Sequence, residues 1–230
     1  MKKIWILLAL CCASLAMAQE KVVEKTFTFK GQELDIDVEL GTEIAIKSWD
    51  RDEIAVKITY IVNDGENNDA VSVDLDDYKD RLSIDVEVNE RKMREADYCC
   101  CDRGQGMIWK KNGRRGSCVE MLVEVSSPAS ADVRVKSVIS NVVIKGMKGN
   151  VEVETVTGGI ELSWDVNTGA EVTLNTTTGD LYTNIDLDRK KDRGLQVISS
   201  HKVRGRLKNG EKEVFLKTVT SDIYFRKSGT

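Results

Sequence analysis

The sequence is short of two residue types that many chemistries need. Its 230 residues include one histidine, His201, and one proline, Pro128. A single histidine excludes a two-histidine zinc site, an HExxH helix and a two-histidine iron triad. A histidine-dependent nucleophile would have to rely on His201 alone. Helical pattern is missing as well, since no window of ten or more residues keeps a 3.6-residue apolar period. After the first eighteen residues no apolar run reaches spanning length. The remaining composition, 41% hydrophobic and 31% charged, is that of a globular chain rather than a disordered or collagen-like one. The length allows one domain or two small ones.

The first segment reads as a secretory leader. Lys2 and Lys3 form a positive start, Ile4 to Leu15 an apolar stretch, and Ala16-Met17-Ala18 a small-x-small cleavage site. The stretch is too short for a transmembrane anchor. A lipoprotein signal using Cys11 or Cys12 fits less well, because Leu10 stands where a small residue is wanted. Without residues 1–18 the chain keeps 32 basic and 38 acidic residues, a net charge of −6. A chain of that sign lacks the basic face that general nucleic-acid binding requires. The leader points to an exported protein of the periplasm, cell surface or medium.

The rest alternates apolar and polar residues with period two. Leu34 to Leu40, Glu53 to Val62, Ala70 to Leu75, Leu82 to Val88 and Glu120 to Val125 all do so. Such alternation puts one face of a strand in a core and the other in water. The expected class is all-β. A turn is expected at Asp50-Arg51-Asp52, and a polar loop over residues 63–69.

Residues 126–230 carry five similar segments, beginning at Ser137, Thr155, Thr176, Ile198 and Thr218. Each has β-branched or hydroxyl residues, then Gly or Ser (His201 in the fourth), a mostly polar residue and an aliphatic one. A period near 20 suits one coil of a β-solenoid better than the hairpins of a β-sandwich. Val142, Ile160, Leu181, Val203 and Ile223 are expected to stack in one internal column, and Val133, Val151, Val172 and Val214 in a second. Gly158 and Gly179 would sit at tight corners. The expected organisation is a leader at 1–18, N-terminal capping strands at 19–125 carrying a basic cysteine loop (90–118), and a coil region at 126–230. The last two are read as one continuous domain.

These segments resemble the putative-adhesin domain family of bacterial envelope proteins. The likeness runs from about Gly41 to Phe225. It is carried by IAIKSWDRDEIAVKI, by VEVSSPASADVRVKSVISNVVIKGMKGNVEVETVTGGIEL and by AEVTLNTTTGDLYTNI. It implies a β-solenoid-like stack, with Pro128 between the first strands and the coils. It implies no defined biochemical activity. Cys99 to Cys118 has no counterpart in the family pattern.

That segment holds the candidate sites. Cys99, Cys100, Cys101 and Cys118 are the four cysteines outside the leader. In an exported chain they favour disulfides over a thiolate metal site, and consecutive cysteines lack the usual zinc spacing. A pairing of Cys118 with one of Cys99 to Cys101 is expected, because adjacent cysteines are hard to bridge. The surrounding loop is basic and glycine-rich. Trp109, Lys110, Lys111, Arg114 and Arg115 are its candidate binding residues for an anionic glycan or an envelope partner. Asp74, Asp76, Asp77 and Asp80, and the loop at 63–69, carry oxygens but lack calcium-loop spacing. Thr155/Thr157, Thr176/Thr178 and Thr218/Thr220 would align as a hydroxyl array. No metal or cofactor is expected. The function read from the sequence is a non-enzymatic, adhesin-like scaffold or binding surface. A polyanion-binding module working through residues 91–115 is the alternative. A carbohydrate-active enzyme, which needs two converging carboxylates, fits less well.

Overall fold

The computed structural model describes residues 20–95, 107–109, 117–188 and 201–229. The leader, Cys99 to Cys101, Lys110, Lys111, Arg114 and Arg115 lie outside the described residues, as does the side chain of Trp109. The chain is all-β. In order, the strands are β1 (Lys21–Thr28), β2 (Glu33–Trp49), β3 (Glu53–Val62), β4 (Val71–Asp77) and β5 (Arg81–Val88). They continue with β6 (Met107–Trp109), β7 (Ser117–Pro128), β8 (Val133–Lys145), β9 (Val151–Thr157) and β10 (Ile160–Trp164). The last are β11 (Ala170–Thr176), β12 (Leu181–Thr183), β13 (His201–Leu207), β14 (Lys212–Thr218) and β15 (Ile223–Lys227). A short helix α1 (Glu90–Glu95) follows β5. Among the described residues no helix is long and apolar enough to cross a membrane.

All fifteen strands belong to one mixed sheet with two limbs. The long strands β2 and β8 pass through both. In the first limb β5, the start of β2, the start of β8, β9, β14 and β11 are parallel neighbours. Antiparallel β4 and β13 lie outside them. In the second limb the end of β2, the end of β8, β10, β15 and β12 are parallel. Strands β7, β3 and β1 extend it on the β2 side.

The period-two pattern explains the packing. Leu82, Leu34, Val133, Val151, Val214 and Val172 stand opposite one another along the first limb. Val142, Ile160, Ile223 and Leu181 do so in the second. Both columns join a single hydrophobic cluster running from Phe27 to Phe225. At about 1.5–3 kcal/mol per buried aliphatic side chain, the buried members of these columns each add to the stability of the fold.

The two columns hold all of the expected residues except Val203, in an unexpected order. The five copies do not stack in chain order: β14 and β15 lie between the β9–β10 pair and the β11–β12 pair. Val203 belongs to neither expected position, but stands opposite Leu174 on antiparallel β13. His201 is the exposed first residue of β13, not a corner residue. The cause is a crossing. Ala170 pairs with Leu207 on one side and with Lys212 on the other, so β13 and β14 flank β11. The turn between them passes over the start of β11 at Gly169. A Cβ there would lie 2.2 Å from Asn209 Oδ1. The expected turn at Asp50–Asp52 works in the same way. It joins β2 to β3, which do not pair, because β7 lies between them.

Corners between the limbs give the repeated Thr, Gly and Asp a structural role. Thr218 Oγ1 donates to Gly158 O (3.0 Å) and Thr176 Oγ1 to Ser221 O (2.9 Å). The Gly159 N–H donates to Asn141 Oδ1 (2.9 Å) and the Asp180 N–H to Asp222 Oδ1 (2.8 Å). At the opposite turns the Asn150 N–H donates to Asp132 Oδ1 (2.7 Å), and the Glu213 N–H to Asn150 Oδ1 (3.0 Å). Each unit thus grips its neighbour through side chains that satisfy corner backbone groups.

Candidate binding surface

The inserted order of strands assembles an aromatic stack on the outer face of the second limb. Leu181, Ile223 and Ile160 stand in register with side chains turned inward. The next residues, Tyr182, Tyr224 and Glu161, therefore share an outward row. The Tyr182 and Tyr224 rings lie 4.8 Å apart between centroids and 8° from parallel. Parallel strands about 4.8 Å apart impose that spacing. The Arg226 guanidinium lies 4.6 Å from the Tyr224 centroid. Tyr182 already covers one face of Tyr224, so Arg226 covers the other. Arg226 also reaches Glu161, with Nη1 to Oε1 at 3.6 Å.

Two carboxylates frame the phenols. Tyr182 Oη donates to Asp180 Oδ2 (3.4 Å) and Tyr224 Oη to Asp222 Oδ2 (3.3 Å). The negative charge of Asp180, and then of Asp222, raises the Tyr182 pKa above its usual value. Desolvation, followed by Asp222, does the same for Tyr224. Both phenols stay protonated at neutral pH and keep their donor roles. Tyr182 is 45% exposed.

A second feature is the recess beside the β2–β3 turn, of about 370 Å³, lined in part by Trp49, Arg51, Pro128 and Lys148. The Trp49 indole N–H donates to Glu53 O (2.7 Å), and Arg51 lies 4.9 Å over the ring. Trp49 is thus committed to holding its own turn.

The third feature is acidic. Asp74 stands opposite Asp85, and Asp85 opposite Asp37, across β4, β5 and β2. Burial and Asp85 raise the Asp37 pKa, and Lys136 opposes them. A raised carboxyl pKa means that the folded chain binds the proton more tightly than the unfolded one. The row therefore lowers stability as pH rises through the carboxylate range. Asp37→Asn is expected to stabilise the protein at pH 7 by about 0.5 kcal/mol, since like charges directly opposite are unfavourable. Urea unfolding at pH 7 and pH 4 checks this: the gain should shrink at pH 4, and a loss of stability at pH 7 would contradict it.

The residues singled out in the sequence fall in different places. Trp109 ends β6, and its backbone is opposite Ser117 on β7. Cys118 is buried near the start of β7, where its N–H donates to Asn63 Oδ1 (2.9 Å). The loop at 63–69 is built on its own side chains: the Val62 N–H donates to Asn68 Oδ1 (2.8 Å), and Asn63 Nδ2 to Asn67 Oδ1 (2.6 Å). Asp77 pairs with Lys30 at 3.0 Å. The Thr-x-Thr array divides. Thr155, Thr176 and Thr218 are buried, and Thr157, Thr178 and Thr220 are exposed. Among the described residues no group of three His, Cys, Asp or Glu side chains is placed to hold a metal ion. The tyrosine stack was missed in the sequence. Its signal was a tyrosine directly after the aliphatic residue in two of the five copies, at Leu181-Tyr182 and Ile223-Tyr224.

No protein family and no curated protein matches the chain. Among solved structures, a putative cell adhesion protein from Clostridium sporogenes aligns over 91% of this chain and all of its own, with 8% identity and a TM-score of 0.51. That likeness is one of fold alone. A putative adhesin from Bacteroides fragilis aligns over 90% of this chain and 98% of its own, at 10% identity and a TM-score of 0.35, too low to bear on the fold.

Proposed function

We propose that the chain is an exported, non-enzymatic, adhesin-like protein of a bacterial envelope, and that its paired limbs are a modified β-solenoid serving as a binding scaffold. The observation that carries this reading is the in-register repeat of strand–corner–strand units. Side chains on its outward rows are fixed at the interstrand spacing, and an array of that kind suits recognition of an extended partner. The leader at residues 1–18 supports export. The fold shared with a protein named for cell adhesion agrees with a surface role.

The test is retention of envelope material on immobilised residues 19–230. Capture of a defined envelope protein or glycan, lost when outward rows are altered, supports the reading. Absence of capture, or turnover in a polysaccharide panel, overturns it.

Export also bears on the cysteines. In this reading Cys118 is joined to one of Cys99, Cys100 and Cys101. Alkylation and mass spectrometry of the exported protein should then find no more than two free thiols. Four free thiols would refute the pairing.

A further inference from the structure

The tyrosine stack is asymmetric. Its inner end is closed by a cation: Arg226 lies on the face of Tyr224 and is held there by Glu161. At the outer end, Tyr182 is 45% exposed on β12, the last parallel strand of this limb among the described residues. Arg226 stands two residues after Tyr224, and the residue two after Tyr182 is Asn184. Asn184 accepts a hydrogen bond from the Lys227 N–H (2.8 Å). The end strand therefore brings no cation of its own from that position.

We infer that the outer face of Tyr182, with Asp180 beside it, is a binding site for a guanidinium group carried by an arginine-containing basic segment of a partner protein. Three observations converge on this chemistry. The same stack already holds a guanidinium on its other face, at cation–π distance. The Tyr182 hydroxyl donates to Asp180, which enriches the ring and strengthens its negative face. Among the described residues, the charged groups acting on Tyr182 are Asp180 and Asp222, both negative, and they attract a cation and repel an anionic glycan. Arginine fits better than lysine because its planar fork can lie on the ring while donating to a carboxylate. The site deepens the scaffold reading above by naming the chemistry of one partner.

The test uses residues 19–230 and a fluorescein-labelled octapeptide of alternating glycine and arginine, followed by anisotropy. The wild type should bind. Tyr182→Leu should weaken binding about five- to tenfold, as expected for a partly exposed cation–π contact. Tyr182→Phe keeps the ring and should stay within about twofold, and Asp180→Asn should weaken binding about threefold. Equal affinity of wild type and Tyr182→Leu would overturn the site, by placing the peptide on the acidic row of the other limb. So would absence of peptide binding, or displacement of the peptide by maltoheptaose, which would indicate a neutral sugar platform. Should Tyr182→Leu unfold, Tyr182→Thr, which suits a strand and also removes the ring, takes its place: it should show the same loss of about five- to tenfold, and affinity equal to wild type would overturn the site. Envelope capture without peptide binding would leave the scaffold reading standing and remove only this site.

Discussion

Replacing Gly158 by alanine is expected to cost about 3 kcal/mol, and by valine more. Gly158 turns the chain from β9 into β10 with φ +152°, in a region that side chains rarely enter. A Cβ there would lie 1.9 Å from Ser140 O and 2.5 Å from Ser140 C, both backbone atoms of the neighbouring unit. No rotamer change relieves such a contact, so one strand must move away from the other. Two other glycines separate the contributions. Gly31 has φ +87° but nothing within 4 Å of an added Cβ, so Gly31→Ala reports conformational strain alone, about 1 kcal/mol. At Gly179, with ordinary φ, the added Cβ meets Ser221 O at 2.2 Å, so Gly179→Ala reports crowding alone, about 1–3 kcal/mol. Gly158→Ala should cost roughly their sum in urea unfolding. A cost near that of Gly31→Ala would show that the corner opens freely, and would remove the close approach as a fold determinant.

The same corner shows how much of the fold was legible in the sequence. Gly158 and Gly179 mark corners because glycine lets two backbones meet, and that requirement is local. Inward columns such as Val142 with Ile160 were legible because a half-buried strand alternates with period two. Strand direction was not legible, because alternation reads the same both ways along a chain. The fourth copy, ending at Val203, therefore looked like a fourth parallel unit, whereas β13 runs antiparallel to β11. The tyrosine stack depended on that hidden choice. Stacked in chain order, the units would place the fourth copy between Tyr182 and Tyr224. Only the insertion of β15 beside β12 makes these rings neighbours. Nor could the acidic row be found, since Asp37 and Asp85 meet through a β2–β5 pairing that no local pattern announces.

Removal of residues 212–230 is expected to abolish folding of the region after Trp164. In a solenoid stacked in chain order, loss of the last unit would expose one new end and leave the other interfaces intact. Here the last unit is internal. Strand β14 lies between β9 and β11, and β15 between β10 and β12. Among the described residues, deleting them leaves β11, β12 and β13 with no hydrogen-bonded strand toward the rest of the sheet. It also removes Val214, Leu216, Ile223 and Phe225, each 0% exposed. At about 1.5–3 kcal/mol apiece, their burial contributes roughly 6–12 kcal/mol. That is comparable to the whole stability of an ordinary domain, about 5–15 kcal/mol. The turn between β13 and β14 crosses the start of β11 at Gly169, so β13 and β14 enter on opposite sides of β11. Circular dichroism and limited proteolysis of residues 19–211 should show loss of strand signal and cleavage throughout the region after Trp164, with the strands up to β10 protected. A truncated chain in which β11 to β13 resist proteolysis as in the full chain would mean that the inserted topology is wrong.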